Sequence, residues 1–279
     1  METDITKLIQ KIGNRVFVDI AHTGCGSGCI YCYVETRNDK QVLASEKEID
    51  AVCDWIIKRC DTKCVVSMCP NTEPFKSKKS TNLILHIARR LAPFSMLLQI
   101  STKEHIQKDT LETLNSYLYF PGQLCIGVSM PTISKSQTVE PRATMISKRR
   151  ETIRNIGLYN FISSSLYIKP FMSITEQDIH RYIEIINECS PNHICVGVDF
   201  TEHIGNATCS SSYEAELARK YFDFDTTLRM LNFAQKIERE TGKTVSFSSV
   251  CHLPLEYRDT CGLRLIQYSE KLCKNCITP

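Results

Sequence analysis

Several things are missing from this sequence, and each absence removes a class of protein. No stretch of about eighteen apolar residues occurs, so nothing reads as a membrane-spanning helix. The opening METDITKLIQKIG lacks the apolar core of a secretory leader. A strong charge of either sign is also lacking. The formal net charge of +3 is too small to imply a nucleic-acid partner by itself. No internal repeat, low-complexity segment or linker is visible. A single domain over 1–279 is therefore the simplest expectation, long enough for a sizeable core, with a cysteine-bearing tail from about 251.

Cysteine, by contrast, is abundant, at 15 residues. Without a leader, so many thiols argue for a reducing cytoplasm, where they stay free or bind metal. Three of them stand in Cys25-Gly26-Ser27-Gly28-Cys29-Ile30-Tyr31-Cys32, a C-x3-C-x2-C loop loosened by glycines. Three thiolates can hold three irons of a [4Fe–4S] cube and leave the fourth iron open to a chelating ligand. A structural zinc site would want four protein ligands, and no fourth Cys or His stands in this loop. The tail carries Cys251, Cys261, Cys273 and Cys276, of which only the last pair has C-x2-C metal-ligand spacing. That pair allows a second metal site; a thiol-bearing terminus is the simpler reading.

Along the chain, β-rich runs alternate with segments of helical period. Val16–Ala21 reads as a first strand leading into the cysteine loop. Ser45 and Glu48 form a capping box that opens a helix. Further strands are expected at Lys63–Met68, Met96–Ser101, Leu124–Met130, Leu166–Phe171, Ile194–Phe200 and Val245–Val250. Helices are expected at Leu83–Leu91, 103–118, 147–157, 175–189 and about 226–241. Such alternation implies parallel βαβ units, hence an α/β fold, a partial (β/α)6–7 TIM-like barrel. Chemistry in barrels of this kind sits on loops at the carboxyl ends of the strands, which is where the cysteine loop falls.

The loop, with Tyr31 before its third cysteine, resembles that of the radical S-adenosylmethionine (SAM) enzymes. Asn71-Thr72-Glu73-Pro74, Ser101-Thr102-Lys103, Ser129, Glu140-Pro141-Arg142 and Lys148-Arg149-Arg150 are similar to the branch containing spore photoproduct lyase, over roughly residues 15–200. The resemblance implies a cluster on Cys25, Cys29 and Cys32 and SAM chelated to its open iron. Thr72, Glu73 and Lys103 would receive the amino and carboxylate groups of SAM. Ser101 and Ser129 would bind its carboxylate or ribose and Arg142 the same carboxylate, and Tyr31 would pack over the adenine, whereas Tyr33 could instead be a core residue. A reduced flavodoxin or ferredoxin would supply the electron.

The resemblance thins beyond the fifth strand, where substrate choice should reside. Cys69 is a candidate hydrogen-atom donor, or else a buried thiol acting as a small hydrophobe. In spore photoproduct lyase a thiol near this point serves the product radical, but Pro70 holds the corresponding position here. Lys169, Asp199, Glu202, His203 and His252 fall at expected strand ends. Asp199 or Glu202 could accept the paired donors of a guanine-like edge, or form a salt bridge with Lys169. A small nucleoside or nucleotide substrate suits the modest charge better than a nucleic acid. The chain is also similar to queuosine lyases, which release queuine from queuosine or its 5′-phosphate. The alternatives are repair of a nucleic-acid lesion and a non-catalytic iron–sulfur or zinc protein.

Overall fold

A computed structural model describes residues 4–32, 34–172, 174–197 and 224–247, with side chains described for the last segment from 228 onward. Its frame is an eight-stranded sheet in the order β1 (Ile9–Ile12), β2 (Arg15–Val18), β5 (Val65–Met68), β6 (Leu97–Thr102), β7 (Leu124–Ser129), β8 (Ile162–Ile168), β9 (His193–Val196) and β10 (Val245–Ser246). From β2 to β10 every neighbouring pair is parallel, and β1 alone is antiparallel, against β2. A separate ribbon pairs β3 (Ala21–Thr23) with β4 (Val42–Leu43). The helices are α1 (Glu46–Arg59), α2 (Lys78–Leu91), α3 (Lys108–Tyr117), α4 (Ser136–Val139), α5 (Ile146–Ile156), α6 (Glu176–Cys189) and α7 (Phe224–Thr241). The mostly parallel sheet with helical crossovers is the expected partial TIM-like barrel.

Local chemistry explains the boundaries. The Ser45–Glu48 capping box is present at α1, its serine oxygen accepting from the Glu48 N–H and the carboxylate from the Ser45 N–H. Ile49, Val52, Cys53 and Ile56 then face inward. A second box, Ser77 with Ser80, starts α2 earlier than the apolar period alone indicates. Every residue of β5 and β7 is buried, as strands covered on both faces must be. One continuous core runs from Leu8 to Val245 through Ile84, Leu98, Ile126, Leu166 and Tyr182.

Several sequence expectations need correction. The first strand does not run to Ala21, because Asp19 stops it after Val18, and the chain turns into the ribbon. The antiparallel β1 was not foreseen; four residues in which only every third is apolar resemble neither strand nor helix period. The segment at 103–107 is not helical, since the Lys103 and Glu104 N–H groups bond to Glu73 Oε2 and Thr102 Oγ1 instead. The strand expected at Leu166–Phe171 is Ile162–Ile168. Its three serines hid it: Ser163 Oγ donates to the Leu124 carbonyl and Ser164 Oγ to Asn192, while the buried Ser165 hydroxyl has no hydrogen-bond partner among the described residues. No helix among the described residues is long and apolar enough to cross a membrane.

Candidate metal and cofactor site

The β3–β4 ribbon closes a loop whose two ends are held side by side, and the three cysteines lie on it. Within the loop, Cys25 N–H donates to the Thr36 carbonyl at 3.3 Å, Gly28 N–H to the Arg37 carbonyl at 3.0 Å, and Cys32 N–H to the Cys29 carbonyl at 3.1 Å. Two glycines make the path possible. Gly24 (φ +82°) lies where a Cβ would come 2.3 Å from the Lys40 carbonyl oxygen, and Gly28 (φ +64°) where it would come 2.9 Å from Asn38 Oδ1.

Cys29 is buried, while Cys25 and Cys32 are half-buried. Among the described residues, no three His, Cys, Asp or Glu side chains gather as ligands of one metal ion. A [4Fe–4S] cube would take each of the three thiolates on a different iron. The surroundings also suit thiolates. The Val34 N–H points at Cys32 Sγ at 3.4 Å, and the Lys103 charge acts on both Cys29 and Cys32. Burial outweighs these effects in the metal-free protein, pushing Cys29 up to about 11 and raising Cys32 as well. Metal binding would therefore have to displace protons. The donor set fits a cluster.

The loop after β5 is bolted to the cysteine loop. Thr72 Oγ1 donates to the Gly24 carbonyl at 2.9 Å, and Gln41 Nε2 donates to Thr72 Oγ1 at 2.8 Å and the Glu73 carbonyl at 2.7 Å. Glu73 is buried, accepting from the Thr102 hydroxyl and from the Lys103 N–H at 2.9 Å; burial raises its pKa against those bonds. Half-buried Lys103 puts its ammonium 5.8 Å from the centre of the Tyr31 ring. Burial would lower its pKa, but Glu140, Cys29 and Glu73 reverse this and keep the cation. Beside them Asp19, closing β2, accepts from the Asn71 N–H at 3.2 Å and side chain at 2.8 Å; burial pushes it up to about 6.

Cys25, Cys29, Cys32, Tyr31, Thr72, Glu73 and Lys103 thus form one connected patch at the carboxyl ends of β2, β5 and β6. Ser129 is buried at the end of β7, and Ser101 is exposed on β6. Arg142 is exposed, its guanidinium donating to the Asn38 carbonyl at 2.9 Å and bracing the loop from outside. Cys69 is 2% exposed, with left-handed backbone (φ 59°), and its thiol pKa lies well above the usual value through burial and then Asp19. Lys169 follows β8 before a cis peptide bond to Pro170, its stem packed near Gly197. Tyr33, Asp199, Glu202, His203, His252, Cys251, Cys261, Cys273 and Cys276 lie outside the described residues.

Sequence reasoning passed over Gln41, Asp19, Glu140 and Arg149. Asp19 carried a signal, a carboxylate inside an apolar run. Glu140 and Arg149 stood in segments that drew attention for Arg142 and the basic run, yet they are the members that are buried. Gln41 carried none.

No protein-family profile matches the chain, and no curated protein does. Solved structures do. A spore photoproduct lyase mutant with bound AdoMet and dinucleoside spore photoproduct aligns with a TM-score of 0.59 and 12% identity, over 84% of this chain and 76% of that one. SuiB of Streptococcus suis bound to S-adenosylmethionine aligns with a TM-score of 0.57 and 13% identity, over 87% of this chain but 53% of that one. Native anSMEcpe with bound AdoMet aligns with a TM-score of 0.53 and 13% identity, over 83% and 62%. The fold is that of the radical SAM enzymes.

Proposed function

We propose that the chain is a radical SAM enzyme acting on a nucleoside-type substrate. The observation that carries this reading is the joining of the three-cysteine loop to Thr72, Glu73 and Lys103 at one mouth of the barrel. A reduced [4Fe–4S] cluster chelating SAM would supply an electron that breaks the S–C5′ bond, giving methionine and a 5′-deoxyadenosyl radical. Cys25, Cys29 and Cys32 would hold the cluster. Lys103 keeps a positive charge that suits the SAM carboxylate, and Glu73 fixes the Lys103 backbone while offering negative charge toward an ammonium. Ser101 and Ser129 are candidates for the carboxylate or ribose. A cleft of about 460 Å³ is lined by Cys25, Lys40, Lys76 and Lys79, of which Lys76 pairs with Glu104; lysines beside a cluster ligand suit an acidic reductant such as flavodoxin or ferredoxin.

The likeness to spore photoproduct lyase favours repair of a nucleic-acid lesion over queuine release, which rests on the sequence resemblance. The buried Cys69 favours a reaction that needs no exposed thiol, and so keeps queuine release as a second reading. One experiment separates them. Anaerobically reconstituted protein is given SAM and dithionite with dinucleoside spore photoproduct in one arm and queuosine 5′-phosphate in the other. Repaired thymidines support lesion repair, and free queuine supports nucleoside cleavage. SAM cleavage that survives Cys29→Ala would sink the radical SAM reading itself.

A further inference from the structure

We infer that Glu140 and Arg149 are positioning residues for the cysteine loop, acting through the hydroxyl of Tyr31. The inference rests on the reading of Cys25, Cys29 and Cys32 as cluster ligands. The Tyr31 hydroxyl has two partners, the Glu140 carboxylate and the Cys29 thiol. A phenol has one hydrogen, and the Tyr31 O–H donates to the Glu140 carboxylate. Glu140 therefore takes the hydrogen, and the phenol oxygen is left facing the Cys29 sulfur.

Arg149 holds the arrangement from behind. Its Nη1 donates to Glu140 Oε2 at 2.5 Å and to the Ser129 carbonyl at 2.8 Å, and its Nε donates to the Thr144 carbonyl at 2.7 Å. The two side chains are 1% and 0% exposed. A chain of contacts thus runs from Cys29 through Tyr31 and Glu140 to Arg149 and the end of β7. Alongside it, the Ile30 N–H donates to the Val139 carbonyl at 3.0 Å, so segment 139–144 grips the loop twice. A pair this deeply buried contributes little net stability over an apolar replacement, because both charges lose their water. What an apolar replacement could not reproduce is the fixed orientation of the Tyr31 hydrogen. Hydrogen bonds to ligand sulfurs set cluster potentials. With its one hydrogen on Glu140, the Tyr31 hydroxyl has none to give Cys29.

The test uses the full chain in two states. In metal-free, reduced protein, backbone hydrogen exchange over residues 25–32 should be roughly five-fold faster in Tyr31→Phe, the loss of one net hydrogen bond. Exchange over Ile162–Ile168 should be unchanged. In reconstituted protein, Glu140→Gln frees the hydroxyl to donate to Cys29 and should raise the cluster midpoint potential more than Tyr31→Phe, which has no hydroxyl to turn. Unchanged loop exchange in Tyr31→Phe, or equal potentials in the two variants, overturns the inference. If Glu140→Gln does not fold, Tyr31→Phe keeps the Glu140–Arg149 pair and still reads the loop. Faster exchange in a protein that takes up no iron would uphold the grip on the loop, remove its role in tuning a cluster, and count against the cluster reading.

Discussion

Asp19 should make the protein less stable at neutral pH than its sequence requires. Its carboxyl is buried at the end of β2, and burial pushes its pKa up to about 6 from 3.8, against two hydrogen bonds from Asn71. The folded chain then holds a proton that the unfolded chain releases near pH 4. A group of this kind contributes full stability below the unfolded pKa and loses it as pH rises through the folded one. Between pH 4 and 6 the loss is about 3 kcal/mol, from 1.36 kcal/mol per pKa unit. Asp19→Asn removes the charge and keeps an acceptor for the Asn71 N–H, while the Asn71 amide can turn its oxygen toward the new amide. The variant should gain about 1–3 kcal/mol at pH 7.5, with the gain vanishing near pH 4. Urea unfolding of metal-free protein under reductant, parent and variant side by side at pH 4, 5, 6 and 7.5, measures the difference; taking the difference cancels the exposed carboxylates common to both. A variant less stable than the parent at pH 7.5, or a difference independent of pH, would refute the reasoning.

Three other outcomes follow from the geometry. Gly24→Ala places a methyl 2.3 Å from the Lys40 carbonyl at a left-handed φ and should lower iron uptake on reconstitution, read by iron content per chain, and cost roughly 1–3 kcal/mol. Glu73→Ala leaves the buried Thr102 hydroxyl and the Lys103 N–H without their acceptor; denaturation should show a loss of about 2–4 kcal/mol, and SAM should bind more weakly by calorimetry. Ser45→Ala removes the α1 capping box, whose serine bonds to Glu48 and not to the cysteine loop, so it should cost about 1 kcal/mol in urea while iron uptake stays at the parental level.

The sequence by itself determined the local parts. Cys25, Cys29 and Cys32 are close because they are near in the chain, and the Ser45–Glu48 box works over three residues. Alternating apolar runs imply parallel crossovers, which place Thr72, Glu73, Lys103 and Ser129 at strand ends. Each of these depends on separations of a few residues or on a strand's period, which side-chain chemistry alone specifies. The tertiary structure decided the rest. Arg142 and Arg149 stand in the same basic stretch, yet Arg142 is outside, on Asn38, and Arg149 is inside, on Glu140. Helical phase at the start of α5 and the path of segment 139–144 make that choice, and neither is encoded in residue type. Cys69 read in sequence more readily as a packed thiol than as a hydrogen donor, and just past β5 the fold buries it. The Tyr31–Glu140 contact joins residues 109 positions apart, so only the closed fold could bring a carboxylate to the cysteine loop.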